Sequence, residues 1–252
     1  MTKILSKSIF KQSIRNNWKL WTILTGVLCL FITLITFVIT SATDGGRPGM
    51  PGGINLINIY GQMFFGMMGI MMLLIYAIAT GNKLVASEID KGTMSFILNT
   101  PITRKQVIFS KALFYILSIA LMAALMGGFA TFSSLIVGAE IDYNSLWLLI
   151  LGFVLFGFAT SGISFASSCW FNKSSLSLLV GAGLPVSFWL LSQLSSIPDL
   201  EFLKYFSLNT LFDTTAIISG NGFIVQFIAL GGIAVILYIL GILKFLKKDL
   251  PL

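Results

Sequence analysis

The residues of this chain able to do chemistry are few, and they gather in one segment. Glu88, Asp90, Lys91, Gly92 and Thr93 open it, Met94, Phe96, Ile97 and Leu98 form an apolar middle, and Pro101, Ile102, Thr103 and Arg104 close it. The chain has no histidine, so the base that would take a serine proton is missing, as is the HExxH pattern of zinc hydrolases. A phosphate loop of the form G-x-x-x-x-G-K-[ST] is also missing; ATP is not hydrolysed here by that route. These residues therefore point to recognition rather than catalysis, with no catalytic, metal or cofactor-binding set expected. Gly92 permits a sharp bend, and Thr93 can cap a short helix after it. Pro101 disfavours helix at Thr100, and Thr103 can cap the next helix. A short amphipathic helix of this kind docks in a partner's groove.

The elements that hold this segment are almost wholly apolar. The chain is 56% hydrophobic and 10% charged, whereas soluble domains average about 25% charged residues. No charge falls within 20–43, 48–82, 112–139, 143–172, 174–198 or 214–243. A hydrocarbon core of about 30 Å takes about 20 helical residues to cross, so each run supplies one span. The expected architecture is an all-α integral membrane domain over 1–252, with six spans near 20–41, 58–80, 111–137, 145–170, 176–196 and 223–244. Barrel strands are excluded, because the runs are too long and too evenly apolar.

Sidedness follows from the cations. An even number of spans puts both termini on one side with 81–110 and 171–175. That side holds fourteen of the sixteen Lys and Arg residues, leaving Arg47 and Lys204 opposite. By the positive-inside rule, both termini and the 88–105 segment are cytoplasmic. The basic balance is a topology signal beside anionic lipid headgroups, not a nucleic-acid footprint. Within 1–19, cations recur at Lys3, Lys7, Lys11, Arg15 and Lys19. Ile4, Ile9, Phe10, Ile14 and Trp18 lie between them, which predicts an interfacial helix along the inner leaflet.

No ionisable residue sits in the middle of a span, which excludes proton relays built on buried carboxylates. In the second span Met63, Met67, Met68, Met71 and Met72 fall on one helical stripe. Methionine is flexible and polarizable, so this stripe is the candidate substrate-facing surface, set against ordinary packing. Ala123/Gly127, Ala124/Gly128, Gly157/Ser161 and Gly162/Ala166 are small pairs suited to close helix packing, within the chain or between subunits. Cys29 and Cys169 lie in or at the end of apolar spans, and no disulfide is implied. The loop 42–57, rich in Gly and Pro, reads as a flexible connector. Residues 197–222 are too apolar for a free loop and too interrupted to span, which predicts an outer re-entrant helical segment packed on protein.

The 88–104 pattern resembles the cytoplasmic loop of ABC-2 type permeases, the membrane half of one class of ATP-binding-cassette transporters. That loop reads acidic-x-acidic-x-Gly-Thr, an apolar stretch, then Pro-[Ile/Val]-[Ser/Thr]-Arg. Glu88, Asp90, Gly92, Thr93, Ile97, Leu98, Pro101, Ile102, Thr103 and Arg104 match it here. Residues 200–209 are similar to the family's outer segment, with Leu208 where a Pro is often found. The resemblance covers essentially the full chain. It implies a coupling helix at 88–104 on which a separate cytoplasmic ATPase docks, with two ATPase copies that bind ATP and Mg, and a second permease, the same chain or a different one. It also implies a bacterial plasma-membrane exporter. The Met-rich second span and scattered aromatics favour apolar or amphipathic cargo (peptides, antimicrobial compounds or lipids) over a polysaccharide. Length, composition and small outer loops are similar to permeases of firmicute peptide exporters, including those for phenol-soluble modulins. The competing reading is a membrane scaffold or sensor that holds an ATPase without transporting.

Overall fold

The computed structural model describes residues 5–44, 56–94, 102–139, 141–195, 197 and 199–248. All regular structure among them is helical, and six helices are long and apolar enough to cross a membrane. The first is α1, Lys7–Asp44. The second begins as α2, Leu56–Ile59, passes through a π-helical stretch, Tyr60–Met68, and continues as α3, Gly69–Leu84. A short helix follows, α4, Ala86–Asp90. The remaining spans are α5, Arg104–Val137, α6, Tyr143–Trp170, α7, Ser174–Leu194, and α9, Phe223–Lys247. Before α9 come two 3-10 turns, Glu201–Phe206 and Leu208–Leu211, and the short α8, Thr214–Ser219. Residues 45–55 of the expected flexible connector lie outside the described residues.

The N-terminal segment differs from expectation. Helix α1 runs unbroken through residues 19 and 20 for 38 residues, about 57 Å at 1.5 Å per residue. The basic segment extends the first spanning helix instead of forming an element of its own. Its buried face is Ile9, Ser13 and Asn17, while Ile14 and Trp18 are exposed. The reason is pairing with α5. Ser6 N–H donates to Ser110 Oγ at 2.9 Å, Phe10 meets Phe114 edge-on at 6.0 Å, and Trp21 Nε1 donates to the Ser118 carbonyl at 2.9 Å.

Helix α6 is the centre of the bundle, packed against α3, α5, α7 and α9. Its serines serve the packing. Ser164 donates to the Gly181 carbonyl at 2.8 Å, Ser167 to the Ser177 carbonyl at 3.2 Å, and Ser161 shares a hydrogen bond with Tyr238 at 2.8 Å. Where no water is available, each hydroxyl must find such a partner inside the protein. Of the small pairs, Ala123 is buried and Gly127 faces Ile150 and Trp147 of α6, so this pair packs within the chain. Ala124 and Gly128 look outward instead, with open space at Gly128.

The segment between α7 and α9 is held by one ring. Phe212, 4% exposed, meets Phe65, Phe153 and Phe156 at 6.4, 6.3 and 5.9 Å. A Cβ at Gly152 would lie 2.8 Å from the Phe212 ring. The chain of short turns is thus pinned beside the tenth residue of α6.

A close helix contact predicts a mutational contrast. A Cβ on Gly81 would meet Ser164 Cβ at 2.6 Å and the Ser164 carbonyl carbon at 3.2 Å. Gly81→Val should lower stability by about 1–3 kcal/mol through overpacking and reduce the yield of monodisperse protein. Gly128→Val should change neither. Equal effects on the melting temperature in one detergent would show that α3 and α6 do not pack this way.

Candidate docking site around the Glu88–Lys111 pair

The face that carries both ends of the described chain is knit by side chains from several helices. Val85, at φ −129°, breaks α3 from α4, and α4 turns its Ile89 inward. Glu88 sits in the first turn of α4 and forms an ion pair with Lys111 of α5. The Lys111 ammonium also donates to the Leu84 carbonyl at the end of α3. Side-chain exposures are 2% for Lys111 and 17% for Glu88, so the pair is largely withdrawn from water. One cation thereby joins the end of α3, the whole of α4 and the start of α5.

The neighbouring acid does different work. Asp90 Oδ2 accepts from the Ser174 backbone N–H at 3.2 Å, placing a carboxylate at the first turn of α7, where it complements the positive helix end. Asn82 Nδ2 donates to Ser174 Oγ at 2.7 Å and Ser168 Oγ accepts from Ala86 N–H at 2.8 Å. After Asp90 the chain bends. Gly92 has φ +70°, a left-handed conformation that costs side chains other than glycine about 1–2 kcal/mol. The Thr93 hydroxyl donates back to the Glu88 carbonyl at 3.1 Å, and the 95–100 stretch that it would cap lies outside the described residues. Lys91, Gly92 and Thr93 are all exposed, and Met94 is buried. Ile97, Leu98 and Pro101 lie outside the described residues.

On the return, Thr103 makes the expected cap as one half of a capping box. Its hydroxyl accepts from Gln106 N–H at 3.3 Å, and its own N–H donates to Gln106 Oε1 at 3.0 Å. Arg104 donates to the Lys248 carbonyl at 3.1 Å. Lys248 in turn donates to the carbonyls of Cys169 and Phe171 at 3.0 and 2.8 Å, the negative end of α6. Burial pushes the Lys248 ammonium down to about 8.

A profile of the family described as ABC-2 family transporter protein matches residues 4–250. The chain belongs to the ABC-2 transporter family. No match is found among curated individual proteins. As a member, this permease is a membrane transport component that is not itself catalytic, and the family works with an ABC ATPase. In the permease, Glu88 and Asp90 hold α5 and α7, while Lys91, Gly92 and Thr93 are exposed beside an equally exposed Asp90. From sequence alone, Lys111 and Lys248 count only among the cations that set sidedness. The available signal was position, since Lys111 lies two turns inside a capped helix, too deep for a loop cation. Of the methionines, Met63, Met67 and Met71 are 67%, 59% and 50% exposed, whereas Met68 and Met72 are partly buried.

Two outcomes test this network. Removing one partner of a buried pair strands the other charge, at about 3–5 kcal/mol. Glu88→Gln and Lys111→Met should each lower the melting temperature sharply, and the double variant should recover more than half of the combined loss. Additive losses would falsify the pairing. The second concerns pH. The folded Lys248 value, about 8, lies below the ordinary 10.5, so the unfolded chain binds the proton more tightly between them. Stability therefore rises as pH climbs through that window. The melting temperature of the wild type minus that of Lys248→Met should increase from pH 7.5 to 9.5, and a flat difference refutes the buried ammonium.

Proposed function

We propose that this ABC-2 permease exports an apolar or amphipathic substrate, a peptide, antimicrobial compound or lipid, across a bacterial plasma membrane with both termini in the cytoplasm. Two copies of a separate cytoplasmic ATPase bind ATP and Mg and dock at 88–104. A second permease, identical or different, completes the transporter. One observation carries the docking assignment. The exposed turn Lys91–Thr93 is rigidly tied, through Glu88 to Lys111 and through Asp90 to Ser174, into α5 and α7. A push on that turn is delivered to two spanning helices at once. The exposed Met63, Met67 and Met71 support amphipathic cargo, because a thioether surface adapts to varied apolar shapes.

The test separates docking from folding by using an exposed position. Lys91→Glu should insert normally, yet reduce both ATPase copurification and export at least tenfold. Full copurification with full export sinks the docking assignment. For the cargo, mass spectrometry of cells lacking the chain should find an amphipathic molecule accumulating inside. Build-up of a polysaccharide intermediate overturns that choice. A phenotype that survives loss of ATP hydrolysis in the partner identifies a scaffold instead.

A further inference from the structure

On the face opposite both termini, a cavity of about 400 Å³ opens between the π-helical stretch, the end of α7 and the turns before α8. Ser192, Gln193, Lys204, Asn209, Thr210 and Asp213 give it a polar lining. Some of these groups are occupied locally. The Ser192 and Thr210 hydroxyls donate to the Trp189 and Ser207 carbonyls at 2.8 and 2.7 Å. Asp213 spends Oδ1 on the backbone N–H groups of Thr215 and Ala216 and on the Thr215 hydroxyl. Its Oδ2 has no hydrogen-bond partner among the described residues.

The decisive group is Asn209. The residue is 8% exposed; its backbone N–H donates to Ser207 Oγ at 3.2 Å and its carbonyl accepts from Phe212 N–H at 3.0 Å. Its side-chain amide has no partner among the described residues. Buried amides are nearly always hydrogen-bonded, and an exception calls for a missing partner. Lys204 likewise forms no salt bridge among the described residues. Among the described residues, the cavity therefore holds a side-chain amide with no partner, and a Lys204 ammonium and an Asp213 carboxylate that attract one another without closing a salt bridge.

An apolar track borders it. Gly66 and Ile70 line the cavity, and Met67 and Met71 directly follow them in the chain, about a quarter turn round the helix. From Met63 to Ile75 the exposed positions Met63, Met67, Met71 and Ile75 extend about 18 Å, three turns of a helical ligand. We propose that the cavity and this track together bind an amphipathic helical peptide on the far face. A carboxylate and an ammonium of its polar side meet Lys204 and Asp213, a polar side chain meets Asn209, and its apolar side lies along Met63, Met67 and Met71. A phosphate headgroup fits less well, since the only cation lining the cavity is opposed by Asp213. The site rests on the export reading above and specifies where cargo of that class is held.

The probe is a synthetic 20-residue amphipathic helix, fluorescently labelled, with one Glu–Lys pair on its polar side. It is titrated into the permease–ATPase complex in phosphatidylcholine nanodiscs. Asn209→Leu and Lys204→Ala should each weaken binding at least tenfold, and the Lys204→Ala effect should vanish for a probe whose Glu is replaced by Gln. Equal affinity for wild type and both variants overturns the site. So does loss of wild-type binding in nanodiscs containing phosphatidylglycerol, if Lys204→Ala abolishes that lipid effect, because a headgroup is then the occupant. Copurification of the ATPase is scored in the same preparations: retained with variant-insensitive binding, it removes the site alone, and absent in the wild type, it removes the export reading as well.

Discussion

An ammonium cut off from water needs oxygen atoms inside the protein, and in this chain that requirement organises the whole face bearing both termini. Lys111 takes the Leu84 carbonyl and the Glu88 carboxylate. Because α3 stops at Leu84, the first partner is a carbonyl left free by the helix end. The helix break, the short α4 and the start of α5 are therefore one arrangement around one charge. Asp90 then fixes α4 to α7, and Lys248 fixes the end of α9 to the end of α6. The polar groups at this face form joints between helices, and the exposed residues between the joints remain available to a partner.

The opposite face is held by apolar contact. Phe212 is wedged among Phe65, Phe153 and Phe156 against Gly152. Charge holds one end of the bundle and aromatic packing the other. Between them α6 supplies small and hydroxyl-bearing residues that let its neighbours approach closely. This suits a medium in which burial of apolar surface offers no drive between helices and close contact must supply the adhesion.

The number of spans and the family were legible because charge-free runs and the 88–104 pattern are local features of the chain. The Thr103 cap was legible for the same reason: a threonine three residues before Gln106 is a local signal. The course of the N-terminal segment was not. Its cations repeat every four residues in an interfacial helix and in an extension of a spanning helix alike, and only pairing with α5 decides between them. The Glu88–Lys111 pair was not legible, because the two residues lie 23 apart on different helices. The cavity at Asn209 depends on three segments meeting, which no single stretch of sequence records. The π-helical stretch Tyr60–Met68 was not legible, because a single stretch of i→i+5 winding leaves no period of its own in the sequence.

That winding has a geometric effect on the exposed methionines. In an α-helix, positions four apart drift by about 40° at each step, so Met63, Met67, Met71 and Ile75 would spiral through about a third of a turn. A π-helix has roughly 4.4 residues per turn and rotates the same step in the opposite sense. With Tyr60–Met68 wound this way, the two drifts largely cancel, and the side chains stand in a nearly straight line parallel to the helix axis. The looser winding acts as a twist correction: it turns a spiral of thioethers into a rail.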